Sequence, residues 1–241
     1  MRGAGARRRR TLVLLVGTVV LAGCVQSSEE KVGSIYQLKA DPNEENVAGI
    51  RGYLEDPSDY VRAAALFSIA ELREPDAAML AIAGLDDEAP FVRITAASVL
   101  GDLEDGAAVG PLLSRLRNDE DWHVRQRAAE SLGKLGGQDA LQGLVEALAD
   151  PVNEVRAAAV EAVTKVDPGA AVDALGRIVR NDTEWEIRVK AVRALGVAGD
   201  PASRPDLEAA LQDTSEFVRS AAAHAITLLD DSPGQAEDGG E

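Results

Sequence analysis

One dipeptide recurs along this chain and limits what the chain can fold into. An aliphatic residue followed by arginine appears as Val61-Arg62, Val92-Arg93, Val124-Arg125, Val155-Arg156, Ile187-Arg188 and Val218-Arg219, with successive arginines 31 or 32 residues apart. Other columns align on it. Six residues before each arginine stands an aspartate: Asp56, Asp87, Asp119, Asp150, Asp182 and Asp213. Three residues after it stands an alanine (Ala65, Ala96, Ala128, Ala159, Ala191, Ala222), and seven after it an aliphatic residue (Ile69, Leu100, Leu132, Val163, Leu195, Ile226). A fixed period of this length marks a repeat architecture in which each unit is one supersecondary element.

The columns describe a helical hairpin. Apolar residues at offsets −1, +3 and +7 from the arginine are four apart and draw one stripe along a helix. The alanine lets a neighbouring helix come close. An earlier apolar residue (Leu54, Leu85, Leu116, Leu148, Val179, Leu211) marks the end of a first helix, and the aspartate sits in the turn between the two. Gly101, Gly133 and Gly196, at offset +8, lie near the end of the second helix. One such hairpin cannot bury its own apolar face, whereas six stacked ones form a continuous core. Composition agrees: 46% of residues are apolar but only 3% aromatic, a mix that suits packed Ala/Leu helices better than strands. The expected fold is all-α, a right-handed α-solenoid of six hairpins over residues 42–229.

Repeats of this length, with an aspartate six residues ahead of Val-Arg, resemble HEAT repeats of the short kind found in phycobilin lyases. The resemblance covers about residues 42–229. It implies that the six aspartates and six arginines form a hydrogen-bonded ladder between adjacent repeats, which bidentate guanidinium–carboxylate geometry suits. It also implies that the second helices line the concave face, with Arg127, Glu130, Lys134, Glu161, Lys165, Lys190 and Arg193 exposed there. HEAT-like hydroxylases carry paired His-Glu motifs for two irons. Here His123 is followed by Val124 and His224 by Ala225, so the resemblance stops short of that motif.

An active site occurs once, but this acid–base pair recurs in every copy and reads as structure. Gly133-Lys134-Leu135 lacks the upstream glycine of a phosphate loop, and no Gly-x-Ser-x-Gly elbow occurs. Nothing in these residues calls for a metal or cofactor. The expectation is a protein-binding scaffold and not an enzyme, the alternative being a bilin-lyase-like enzyme or enzyme partner built on the same repeats. Five of the eight aromatics stand two or three residues before the arginine: Tyr60, Phe91, Trp122, Trp185 and Phe217, with Glu154 breaking the column. Two readings stand. The rings form a ridge of anchors for a protein partner, as aromatic hot spots do, or they cover the turn and pack against the next repeat.

The N-terminus supplies an address. Arg7 to Arg10 are followed by eleven mostly apolar residues, Thr11 to Leu21, and then by Ala22-Gly23-Cys24. The run is too short to span a bilayer, which needs about 20 residues, and has the length of a signal-peptide core. Leu21-Ala22-Gly23-Cys24 resembles the lipobox of prokaryotic lipoproteins. That implies removal of residues 1–23 and lipidation of Cys24, with each buried CH₂ adding about 0.8 kcal/mol of membrane affinity. The expected product is an envelope protein anchored through Cys24 and facing outside the cytoplasm. A polar tether over residues 24–41, ordered near Ile35, Tyr36 and Leu38, and a disordered acidic tail over 230–241 complete it. Cys24 is the sole cysteine, so no intrachain disulfide forms. Without the five arginines of the leader, 20 bases face 41 acids, a balance of −21. Such a surface repels phosphate backbones and speaks against nucleic acid; a basic partner surface would complement it.

Overall fold

A computed structural model describes residues 26–231, all of them helix, turn or connecting loop, with no strand among them. A leading helix α1 (Ser28–Ala40) precedes six hairpins: α2 (Glu44–Arg51) with α3 (Asp59–Glu71), α4 (Ala77–Gly84) with α5 (Pro90–Leu103), α6 (Val109–Asn118) with α7 (Trp122–Leu135), α8 (Gln138–Ala147) with α9 (Asn153–Val166), α10 (Val172–Asn181) with α11 (Trp185–Ala198), and α12 (Arg204–Ala210) with α13 (Glu216–Asp230). First helices have 7 to 10 residues and second helices 13 to 15. The result is an α-solenoid. Each second helix packs on the next, from α1 through α13, and more closely than successive first helices do. The exposed sides of the second helices thus line up as one continuous face, the inner face expected of such a stack.

The alanine and aliphatic columns carry the core. Ala96, Ala128, Ala159, Ala191, Leu100, Leu132, Val163 and Leu195 are fully buried, each leucine or valine contributing about 1.5–3 kcal/mol by leaving water. The glycines at offset +8 set the spacing. A Cβ on Gly101, Gly133 or Gly196 would lie 2.8 Å from Ser131 Cβ, 2.7 Å from Ala162 Cβ or 2.9 Å from Ala225 Cβ, all on the following second helix. They are contact points inside the last turns, more than markers of where the helix stops.

The order expected near Ile35, Tyr36 and Leu38 extends over most of the tether segment. Residues 28–40 form α1, opened by a capping box in which Ser27 Oγ accepts from Glu30 N–H and Glu30 Oε2 accepts from Ser27 N–H. Ile35 is fully buried with Ile50, Val61 and Ile69. Lys31 Nζ lies 2.7 Å from Asp56 Oδ2, the role arginine has elsewhere, and Lys31 stands one period, 31 residues, before Arg62. The array thus begins one second helix earlier than the Val-Arg motif shows, because Glu30-Lys31 replaces that motif. A terminal element of this kind covers the end of the core. Since the Lys31–Asp56 pair is partly exposed, Lys31→Ala should cost only about 1 kcal/mol. Its expected effect is faster amide exchange confined to α1, measured by hydrogen exchange.

At the other end α13 runs to Asp230, into the segment expected as tail. The leader, Cys24 and residues 232–241 lie outside the described residues. No described helix is long and apolar enough to cross a membrane.

Candidate functional site

The repeated charges meet between repeats. Arg Nε and Nη2 reach both carboxylate oxygens of the aspartate in the next turn: Arg62 to Asp87 at 2.8 and 2.6 Å, Arg93 to Asp119 at 2.8 and 2.8 Å, Arg125 to Asp150 at 2.8 and 3.0 Å, Arg156 to Asp182 at 2.7 and 2.9 Å, and Arg188 to Asp213 at 2.8 and 2.8 Å. The third arm, Nη1, donates to the carbonyl of the arginine's own repeat aspartate at 2.7 to 3.0 Å in all six copies. Each aspartate Oδ1 also accepts the N–H two residues on, which shapes the turn. One guanidinium thus ties its own turn to the next. Arg219 keeps its two carbonyl bonds, to Asp213 and Thr214, but meets no carboxylate among the described residues.

These bonds hold the charged forms in place. Burial works against ionisation of Asp87 and Asp182, but the facing arginine and a backbone N–H outweigh it and keep both carboxyls below the ordinary range. For Asp213 the Arg188 bond is the main cause of the same shift, and for Asp56 the Lys31 bond. A depressed native pKa contributes stability that is present above the unfolded value, about 3.9 for aspartate, and is lost as pH falls through the native value. Melting temperature should therefore hold near neutral pH and fall below about pH 4. Calorimetric scans across pH 7 to 2.5 check this.

The aromatic column divides. Tyr60 and Phe91 stack at 5.8 Å with rings 18° apart and are 54% and 44% exposed. Trp185 and Phe217 stack at 4.9 Å and 27° and are 39% and 57% exposed. Trp122, by contrast, is partly buried against the main core and stacks on His123 at 3.6 Å. Four rings thus form two exposed pairs, each bridging adjacent repeats, while the fifth covers core. Such a pair adds about 0.5–1.5 kcal/mol beyond area burial.

On the inner face, Arg127 pairs with Glu130 at 2.7 Å and Lys134 with Asp102 at 2.6 Å, and Lys190 pairs with Glu161. Lys165 and Arg193 are exposed. His123 Nδ1 lies 3.0 Å from Asp121 Oδ1, and His224 stands exposed on α13. No group of three or more His, Cys, Asp or Glu among the described residues could hold a metal. These donors do not fit the two-iron set that the hydroxylase resemblance would require.

Comparison with known proteins places this geometry. The HEAT-repeat family profile matches residues 47–118, 92–164 and 172–237. The chain is 28% identical over 187 residues to the uncharacterized phycocyanin operon protein Z of Pseudanabaena tenuis, covering 73% of this chain and 92% of that protein. It is 31% identical over 144 residues to phycocyanobilin lyase subunit alpha of Picosynechococcus sp., covering 53% of this chain and 54% of that subunit. The chain thus spans about half of that relative's length. An archaeal HEAT-like repeats protein from Thermococcus onnurineus shares the fold, with a TM-score of 0.55 and 16% identity over 86% of this chain and 98% of that one. The expectation that the chain is not an enzyme is overturned by the lyase subunits, which are enzyme components similar to this array. Sixfold recurrence identifies the ladder as structure, but it carries no information about what the varied surface does.

Proposed function

The chain belongs to the HEAT-repeat family, and from that premise we propose that it is a lipid-anchored scaffold that holds a protein partner at a membrane, outside the cytoplasm. The observation that carries this reading is the two exposed stacked pairs, Tyr60 with Phe91 and Trp185 with Phe217. The ladder is the same in each repeat, so recognition falls to residues that differ between repeats. Large rings left half in water are the side chains with most apolar area to gain on docking. The lipobox-like Leu21-Ala22-Gly23-Cys24 supports the anchor, and α1 starts four residues beyond Cys24. Such a short link would hold the first repeat against the bilayer and leave the last repeats free to reach a partner.

Crosslinking in the native cell with mass spectrometry, run on wild type and Cys24→Ser, tests the proposal. The expected result is a lipidated, membrane-bound wild type crosslinked to an envelope protein, and a Cys24→Ser form released from the membrane. An unprocessed or soluble wild type would refute the anchor. Failure to recover any envelope protein above background would refute the scaffold.

A second reading is favoured by the similarity to lyase subunits: the array serves as a subunit of an enzyme handling a bilin. Incubation with phycocyanobilin distinguishes it. A retained chromophore band supports this reading, and its absence removes it.

A further inference from the structure

We infer that the inner face at α9 and α11 is a groove for a short acidic peptide segment of a protein partner, separate from the aromatic edge. Its floor is apolar, formed by Val160, Ala194 and Val197, and its rim is basic, formed by Lys165, Lys190 and Arg193. Val197 is 62% exposed, a branched apolar side chain open to solvent beside these cations. Glu161 pairs with Lys190. Lys165 and Arg193 have no carboxylate within bonding reach among the described residues, although acids outnumber bases by 16 along the whole chain. The partnered cations Arg127 and Lys134 of α7 continue the rim toward the N-terminus.

Charge and shape select the occupant. Lys165 lies nine residues after Arg156 on α9, and Arg193 five residues after Arg188 on α11, so both stand well away from the ladder turns. They belong to neighbouring second helices whose axes lie about 8–10 Å apart, with the exposed valine beside them. Two carboxylates flanking an aliphatic side chain match that layout. A long polyanion does not, because toward α7 the cations are already paired with Glu130 and Asp102, and the chain as a whole, with 16 more acids than bases, repels it. The island therefore suits a segment of a few residues. A ligand carboxylate bound by Lys165 or Arg193 displaces no internal salt bridge, so its charge attraction is not offset by breaking one, whereas Lys190 stays with Glu161.

The test measures fluorescence anisotropy of a fluorescein-labelled Gly-Ser-Glu-Leu-Glu-Glu-Leu-Gly-Ser peptide with the full chain, beside Gln-for-Glu and Lys-for-Glu versions. The glutamate peptide should bind at least tenfold more tightly than the glutamine version, and added salt should weaken it. The double charge reversal Lys165→Glu with Arg193→Glu should reduce binding at least tenfold and leave circular dichroism and melting unchanged, because both side chains are exposed. Trp185→Ala with Phe217→Ala should leave peptide binding intact, so failure of the aromatic edge and failure of this groove are told apart. Equal binding of the lysine peptide, or an unaffected double reversal, overturns the proposal. Capture by phosphatidylglycerol vesicles without peptide binding assigns the groove to lipid and overturns it. A sedimentation shift on charge reversal without peptide binding assigns it to a second copy, with the same consequence.

Discussion

Arg93→Ala is expected to lower stability by about 3–5 kcal/mol, the cost of removing one member of a buried ion pair. Arg93 and Asp119 form the most enclosed rung, with side chains 7% and 2% exposed. The guanidinium makes two bonds to Asp119 and two more to the carbonyls of Asp87 and Glu88, at 3.0 and 3.1 Å. Its removal leaves the Asp119 carboxylate buried, with the Asp121 N–H at 3.0 Å and Arg115 at 3.7 Å as the remaining compensation. Arg93→Lys should recover only part of the loss, because an ammonium restores the charge but not the planar fork. Replacing both partners, Arg93→Met with Asp119→Leu, should cost much less than either truncation, since no unpaired charge stays inside. Denaturant unfolding measures all four chains. In a quasi-one-dimensional stack the damage should also be local, so amide exchange should rise first in α5, α6 and α7. A loss below about 1 kcal/mol for Arg93→Ala, the level of an exposed pair, would mean that the ladder is not what joins the repeats.

Gly133→Ala should destabilise the array, opposite in sign to the usual effect in a helix. On an exposed helix, replacing Gly by Ala gains about 0.8–1 kcal/mol. Here the added Cβ would lie 2.7 Å from Ala162 Cβ and 2.9 Å from Ala162 Cα. The obstacle includes backbone, so no side chain can swing aside, and α7 must move away from α9. Overpacking of this kind costs about 1–3 kcal/mol, and Gly133→Val should cost more than Gly133→Ala. Gly110 of α6 is the control, since nothing lies within 4 Å of a Cβ there, and Gly110→Ala should be neutral or stabilising. Thermal melting of the three variants checks the order. Equal effects at Gly133 and Gly110 would show that α7 and α9 are not held at the spacing described.

The repeat stack was legible because its cause is periodic. A 31-to-32-residue recurrence with four-residue apolar spacing leaves few alternatives to stacked hairpins, and helix pairs appear where the columns place them. What escaped the sequence had no periodic signature. Lys31 replaces arginine and Glu30 replaces valine, so α1 looked like a polar tether, although stepping back one period from Arg62 lands on Lys31. Trp122 and Trp185 occupy the same column, yet one covers core and the other stands half in water. Burial there depends on the neighbouring repeat: Trp185 meets Phe217 one step on, whereas Trp122 would meet Glu154. The glycine at offset +8 could be read as a helix end or as a close approach, and only the position of the next helix decides. The inner groove is harder still to foresee, because it assembles residues of two helices whose offsets carry cations, valine and alanine in no repeating order.

Trp185→Ala with Phe217→Ala, assayed together for melting and for in-cell crosslinking to the partner, tests most directly whether this array is a scaffold that binds through its exposed rings. The crosslinked partner should be lost at least tenfold while the fold persists, with stability reduced by the roughly 0.5–1.5 kcal/mol of one stacked pair together with the apolar area that these half-exposed rings cover. A chain that melts far earlier yet still captures its partner at wild-type yield would contradict this, and would make these rings a cover for the turns.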